Sequence, residues 1–196
     1  MLKYREGVGG PLVRYDFAEV ASACLDRAAA DCVRHVELMF DPQAHTMRGV
    51  AIGTILEGLA KARSATRNGL STSLIVNFMH ERDEAEALDV LASLEPYRSQ
   101  IVAVGIDSSE IGYPPQKFTQ LFETARTMGF KLVAHAGFEG PPTDIEEAGD
   151  RGVISGPRRE HVLLIDGALQ RCLGASVIAR YRCRIRPISK DGAFHH

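Results

Sequence analysis

An α/β fold built around a parallel sheet is what this sequence predicts, and three observations predict it. Four short runs are apolar almost throughout: 33–41 (VRHVELMFD), 71–79 (STSLIVNFM), 101–107 (IVAVGID) and 131–137 (KLVAHAG). They alternate with segments of helical periodicity at a spacing of roughly 30 residues. Each run also closes on polar or small residues. A strand that is apolar on both faces is buried on both faces, which is the mark of βα units rather than of an antiparallel sheet with one wet side.

Taken in order, residues 1–14 are punctuated by glycine and proline and read as a flexible lead. From Tyr15 the pattern becomes regular. Asp16 stands where a helix cap belongs, and Phe17, Val20, Ala21, Cys24, Leu25 and Ala28 recur at three and four residues, which predicts one buried helical face. After the first strand, the spacing of Ile52, Ile55, Leu56, Leu59 and Ala60 predicts a helix over about 50–67, ended near Gly69. The second strand leads into a helix over 84–94 and the third into a helix over 117–128, with Gly129 placed as its stop signal. The fourth strand gives way to a short helical stretch over 143–148. The organised unit is therefore 15–148. Residues 149–196 form a divergent tail, in which 161–171 reads as one more strand or helix.

Composition limits the possibilities. A chain of 196 residues, 45% hydrophobic and 24% charged, suits one soluble globular domain. A net charge of −2 supplies no general attraction to nucleic acid or to an anionic membrane. No run approaches a membrane span and the N-terminus lacks an apolar signal core, so the cytoplasm is the expected location. Cys24, Cys32, Cys172 and Cys183 lack CxxC or zinc-ribbon spacing and are expected to be reduced thiols.

Chemistry in a parallel α/β protein gathers at the carboxyl ends of the strands. Asp41 closes the first run, Asn77 and His80 the second, Asp107 with Ser108, Ser109 and Glu110 the third, and His135 the fourth. Four polar strand ends in succession favour a shared site. Gly137, two residues beyond His135, would let a ligand approach the backbone closely. By spacing alone the chain carries no HxH, HExxH or cysteine cluster, so residue pattern gives no metal site.

Three of these stretches, VRHVELMFDPQAHTMRGV, VGIDSSEIGYPPQKF and HAGFEGPP, occur in order and together resemble the adenosine deaminase family, on its adenine-deaminase-like branch. The resemblance covers about 15–148. It implies a (β/α)₈ TIM barrel, of which this chain holds about four parallel βα units followed by an irregular basic segment. It further implies one zinc ion at the barrel mouth and a purine base or nucleoside as substrate, with the 6-amino group released as ammonia. Carried over by residue, His135 would be a zinc ligand, and Gly137 with Asp107 would bind substrate. Phe138 occupies the position of the family's proton-shuttling glutamate, and Glu139 is one residue along, where an extended backbone turns it to the opposite side.

The resemblance is incomplete at both ends, since the HxH strand and the later Asp-His-Gly and Ser-Asp-Asp motifs do not occur in this sequence. No catalytic residue is intact on this reading, and the expected activity is nil. Gly156-Pro157-Arg158-Arg159 can be encoded by bases that, read one position later, give Asp-His-Gly-Val; a frameshift between about Glu146 and Gly156 would account for the tail. Two alternatives differ in class. A half-barrel would have two unpaired apolar edges, which favour self-association or an assembly role without catalysis. The weaker one is RNA binding through Arg180, Arg182, Arg184 and Arg186, which share one face of an extended segment.

Overall fold

The computed structural model describes residues 14–65, 67, 69–136, 139, 144 and 177–179. Helix α1 (Arg14–Ala30) leads into β1 (His35–Phe40), a short helix α2 (Gln43–Thr46) and α3 (Ile52–Ser64). Strand β2 (Ser71–Met79), α4 (Glu84–Ser93), β3 (Ile101–Asp107), α5 (Thr119–Thr127) and β4 (Lys131–Leu132) follow. Two 3₁₀ turns, Glu95–Gln100 and Pro115–Phe118, lead into β3 and α5. Both contain a proline near their start, where its missing N–H costs nothing.

The strands run parallel in the order β4-β3-β2-β1, as the apolar runs predict. His35 pairs with Ser71, Ile75 with Ala103 and Ala103 with Lys131. β4 is shorter than its sequence suggests, yet its ladder continues: Val133 N–H donates to Val104 O at 3.0 Å and His135 N–H to Ile106 O at 2.9 Å.

The expected pair of open edges is corrected on one side. Val177–Ala179 forms β5, which pairs antiparallel with β1 through Val36–Ala179 and Leu38–Val177. Among the described residues β4 bounds the sheet on the other side.

Period-two alternation decides what each strand shows to each side. Leu38, Phe40, Leu74, Val76, Phe78, Val104 and Ile106 join the helices in the main core. Met39, Ile75 and Ala103 form a smaller cluster with Val102 and Val133. Along that second side β2 runs Ile75, Asn77, Met79, and β3 runs Ala103, Gly105, Asp107. Apolar packing thus gives way to polar side chains as each strand reaches its carboxyl end.

The helices mostly bury the predicted faces. Ala21, Cys24, Leu25 and Ala28 of α1 are in the core, whereas Val20 is exposed and Asp16 lies inside the helix instead of capping it. Helix α1 begins at Arg14, within the expected flexible lead. Gly129 adopts φ +80° just beyond α5, the left-handed stop anticipated there. Cys24 is buried and Cys32 exposed, and neither is in a disulfide. The 143–148 helix, apart from helical Asp144, and the 161–171 element lie outside the described residues, as do the tail arginines, Cys172 and Cys183. Among the described residues no helix is long and apolar enough to cross a membrane.

One buried histidine belongs to this framework. His45, in α2, packs edge-on against Phe17 with ring centroids 5.0 Å apart. Burial, aided by the charge of Arg48, lowers its pKa from 6.5 to about 4. The unfolded chain therefore takes up this proton first as pH falls, and stability present above 6.5 is lost between about 6.5 and 4. Urea midpoints should report a loss of about 2 kcal/mol from this group between pH 7 and pH 5, and His45→Phe should flatten that dependence.

Candidate active site

The carboxyl ends of β1 to β4 bring Asp41, Asn77, His80, Asp107, Glu110 and His135 to one rim. Asn77 and Asp107 come first because they lie on adjacent strands and face the same side. Asn77 Nδ2 donates to Asp107 Oδ2 at 2.8 Å, and both residues are buried. Burial pushes the Asp107 carboxyl above the usual carboxylate range. Its bonds to Asn77 and Asp41, and the nearby His135 and His80, act in the opposite direction.

Gly105 makes this pairing possible. A Cβ at that position would lie 2.5 Å from Asn77 Oδ1 and 2.5 Å from Val133 Cγ2. Gly105→Ala is expected to cost about 1–3 kcal/mol through overpacking. Chemical denaturation measures that loss, and an unchanged midpoint would show that Asn77 and Val133 yield freely.

His80 ties three loops together. Its N–H donates to Asp107 O at 2.8 Å, its Nδ1 lies 2.7 Å from Tyr113 O, and its Nε2 lies 3.0 Å from His135 O. Carbonyl oxygens only accept, so whichever ring nitrogen carries hydrogen donates to the carbonyl beside it. Lys117 closes the same corner, donating to His80 O at 3.1 Å and Arg82 O at 2.6 Å. Gln43 fixes the end of β2 from the other side: its Oε1 accepts from Met79 N–H at 3.0 Å and its Nε2 donates to Glu86 Oε1 at 3.0 Å.

After β3 the chain turns at Ser108, whose φ of +83° is left-handed, and Ser108 Oγ donates to Glu81 Oε1 at 3.0 Å. The turn returns Glu110 to the rim. Glu110 Oε1 lies 2.6 Å from His135 Nδ1, with the Glu110 side chain 1% exposed and that of His135 17% exposed. Glu139 is exposed but bound to the same carboxylate: Glu139 N–H donates to Glu110 Oε2 at 3.1 Å, and Glu110 N–H donates to Glu139 Oε2 at 3.4 Å.

The structure therefore places His135, Asp107 and Glu139 in one neighbourhood, while Gly137 and Phe138 lie outside the described residues. Sequence reasoning named Asn77, His80 and Glu110 as strand-end residues without giving them roles. The signal for Asn77 was present, since it precedes Asp107 by 30 residues, the period of the repeat. A zinc ion asks for about three protein ligands. Among the described residues no group of three or more His, Cys, Asp or Glu is placed to hold a metal ion. These residues do not by themselves fit zinc, and His135 is one candidate ligand.

A parallel α/β sheet flanked by helices, with a buried polar rim at the carboxyl ends of its strands, is the layout of part of a β/α barrel. The adenosine deaminase family profile matches residues 4–155, and the chain belongs to that family. It is 47% identical over 150 residues to the adenine deaminase of Streptomyces coelicolor, covering 76% of this chain and 44% of that protein. It is 40% identical over 197 residues to the adenine deaminase of Cupriavidus metallidurans, covering 98% of this chain and 54% of that protein. The crystal structure of adenine deaminase from Arthrobacter aurescens superposes with a TM-score of 0.70 at 44% identity, over 72% of this chain and 44% of that one. That of an amidohydrolase from Burkhoderia ambifaria with bound Zn gives 0.68 at 30% identity, over 73% and 41%. The chain thus spans about half the length of the curated relatives it matches.

Proposed function

We propose that this chain carries the middle βα units of a zinc-dependent purine deaminase barrel, with free adenine favoured over adenosine as the substrate of the complete machinery. The single observation behind this reading is the strand-end rim of Asp107 and His135, in a chain whose relatives at 40–47% identity are named adenine deaminases. In this reading His135 is the zinc ligand. Gly137 permits close approach of the purine, and Asp107 supplies a carboxyl behind it. Zinc would lower the pKa of a bound water for attack on the purine. The described residues supply too few ligands for that chemistry, and Phe138 cannot move a proton where a carboxylate is needed. The 196-residue chain alone is therefore inactive, and Phe138→Glu alone does not restore turnover. A cytoplasmic setting is in keeping with this chemistry.

A chimera tests the assignment. Residues 15–136 would replace the matching segment of the Streptomyces coelicolor adenine deaminase, which supplies the remaining barrel. The chimera should release ammonia from adenine faster than from adenosine. A soluble, zinc-loaded chimera with no turnover would refute the reading.

One further reading is that the chain self-associates or completes a barrel with another chain. A mass in solution above that of one 21.4 kDa chain would support it, and a strict monomer would remove it.

A further inference from the structure

We propose that Tyr113 is a stacking platform for the purine ring and so a specificity-determining residue of the deaminase site. The role deepens the deaminase reading and takes its ligand from it. Tyr113 stands in the loop that follows β3, a short way beyond Glu110. The His80 ring ties it to the rim: Nδ1 lies 2.7 Å from Tyr113 O and Nε2 lies 3.0 Å from His135 O. One imidazole thus separates the backbone of Tyr113 from that of His135.

The loop fixes this residue from several directions. Tyr113 N–H donates to Glu110 O at 2.9 Å, closing a β-turn in which Gly112 takes the left-handed φ of +81°. Pro114 follows, and the residue before a proline is confined largely to extended backbone. Lys117 Nζ lies over the ring, 5.0 Å from its centroid and within the range of cation–π attraction. That ammonium is itself held by the carbonyl oxygens of His80 and Arg82.

Yet the ring adds little to the interior. Tyr113 is 36% exposed and belongs to neither apolar cluster of the sheet. A Cβ on Gly112 would meet nothing within 4 Å, so open space adjoins the turn. Ile111, at its tip, is 68% exposed. An aromatic side chain held this firmly and left half-exposed loses little freedom when a flat ligand settles on it. Aliphatic surface would accept any apolar partner, whereas an aromatic face favours a planar ring such as a purine base.

Tyrosine-ring ¹³C spectra of the whole chain, titrated with adenine, read the contact directly. Tyr113 is one of five tyrosines and is assigned by the resonance lost in Tyr113→Phe. Adenine should move the Tyr113 ring signals upfield and leave the other tyrosines in place. Tyr113 signals that stay put up to the solubility limit of adenine, or a shift shared equally by all the tyrosines, overturn the proposal. In the chimera, Tyr113→Leu should raise KM for adenine about tenfold with kcat almost unchanged, while Tyr113→Phe should keep the parent KM. An unchanged KM in Tyr113→Leu, or an equal loss in both variants, overturns it as well. The titration needs no turnover. A silent chimera with a shifted Tyr113 removes the deaminase reading and keeps the platform, and an active chimera with Tyr113 unmoved does the reverse.

Discussion

Phe78→Ala is expected to lower the free energy of unfolding by about 3–5 kcal/mol. Phe78 is fully buried on β2, which has β1 on one side and β3 on the other. Its ring points into the main core with Leu74 and Val76 below it on the same strand. Collapse into the vacated space would require β2 to move, and its parallel ladders to both neighbours oppose that. The lost transfer free energy and the cavity term therefore add. A domain of this kind has roughly 5–15 kcal/mol in total, so the variant should be near its limit of stability at 25 °C. Urea unfolding followed by far-ultraviolet circular dichroism measures the effect. A loss under about 1 kcal/mol would mean that the strand can shift and that the core is looser than its packing indicates.

Asn77→Ala carries the second large effect, about 3 kcal/mol at neutral pH, because it removes the amide donor from a buried carboxyl. Asp107 is held above the ordinary carboxylate range chiefly by burial, and the Asn77 bond counteracts that shift. A carboxyl whose folded pKa is raised binds its proton more tightly in the folded chain. Its stabilising contribution is full below the unfolded value and is lost as pH rises through the folded one. Removing Asn77 raises the folded value further. The penalty of Asn77→Ala should accordingly shrink as pH falls and grow as pH rises. A double-mutant cycle with Asp107→Asn isolates the pair, and a coupling free energy near zero would contradict the geometry.

Much of the scaffold was legible because buried parallel strands leave an unmistakable trace. The runs 71–79 and 101–107 coincide with β2 and β3 because the last six residues of β2 and all but one of β3 are buried. Helix α2 escaped notice, since four residues are too few to show a period. Spacing predicts a buried Val20, but α1 turns it outward while Ala18, on the opposite flank, is buried. The pairing of β5 with β1 joins Val36 to Ala179 across the length of the chain, and no local pattern announces a contact so distant.

The rim was legible in outline for a related reason. The repeat puts Asn77 and Asp107 at matching points of successive units, and alternation carries Val133 and His135 along one face. The contact of Glu110 with His135 was not legible. It depends on a left-handed turn at Ser108, a residue type that rarely adopts such a conformation, so composition gave no warning that Glu110 would fold back. The contacts of His80 were hidden differently. Its partners are the carbonyl oxygens of Tyr113 and His135, and backbone acceptors have no sequence signature.

Ammonia release from adenine by the purified 196-residue chain, with zinc supplied, is the most direct measurement. A rim that holds His135 in position but brings no set of three metal-binding side chains together among its described residues should give only the background rate. Steady release in proportion to the amount of chain would contradict that account, and would mean that residues outside this rim complete the machinery.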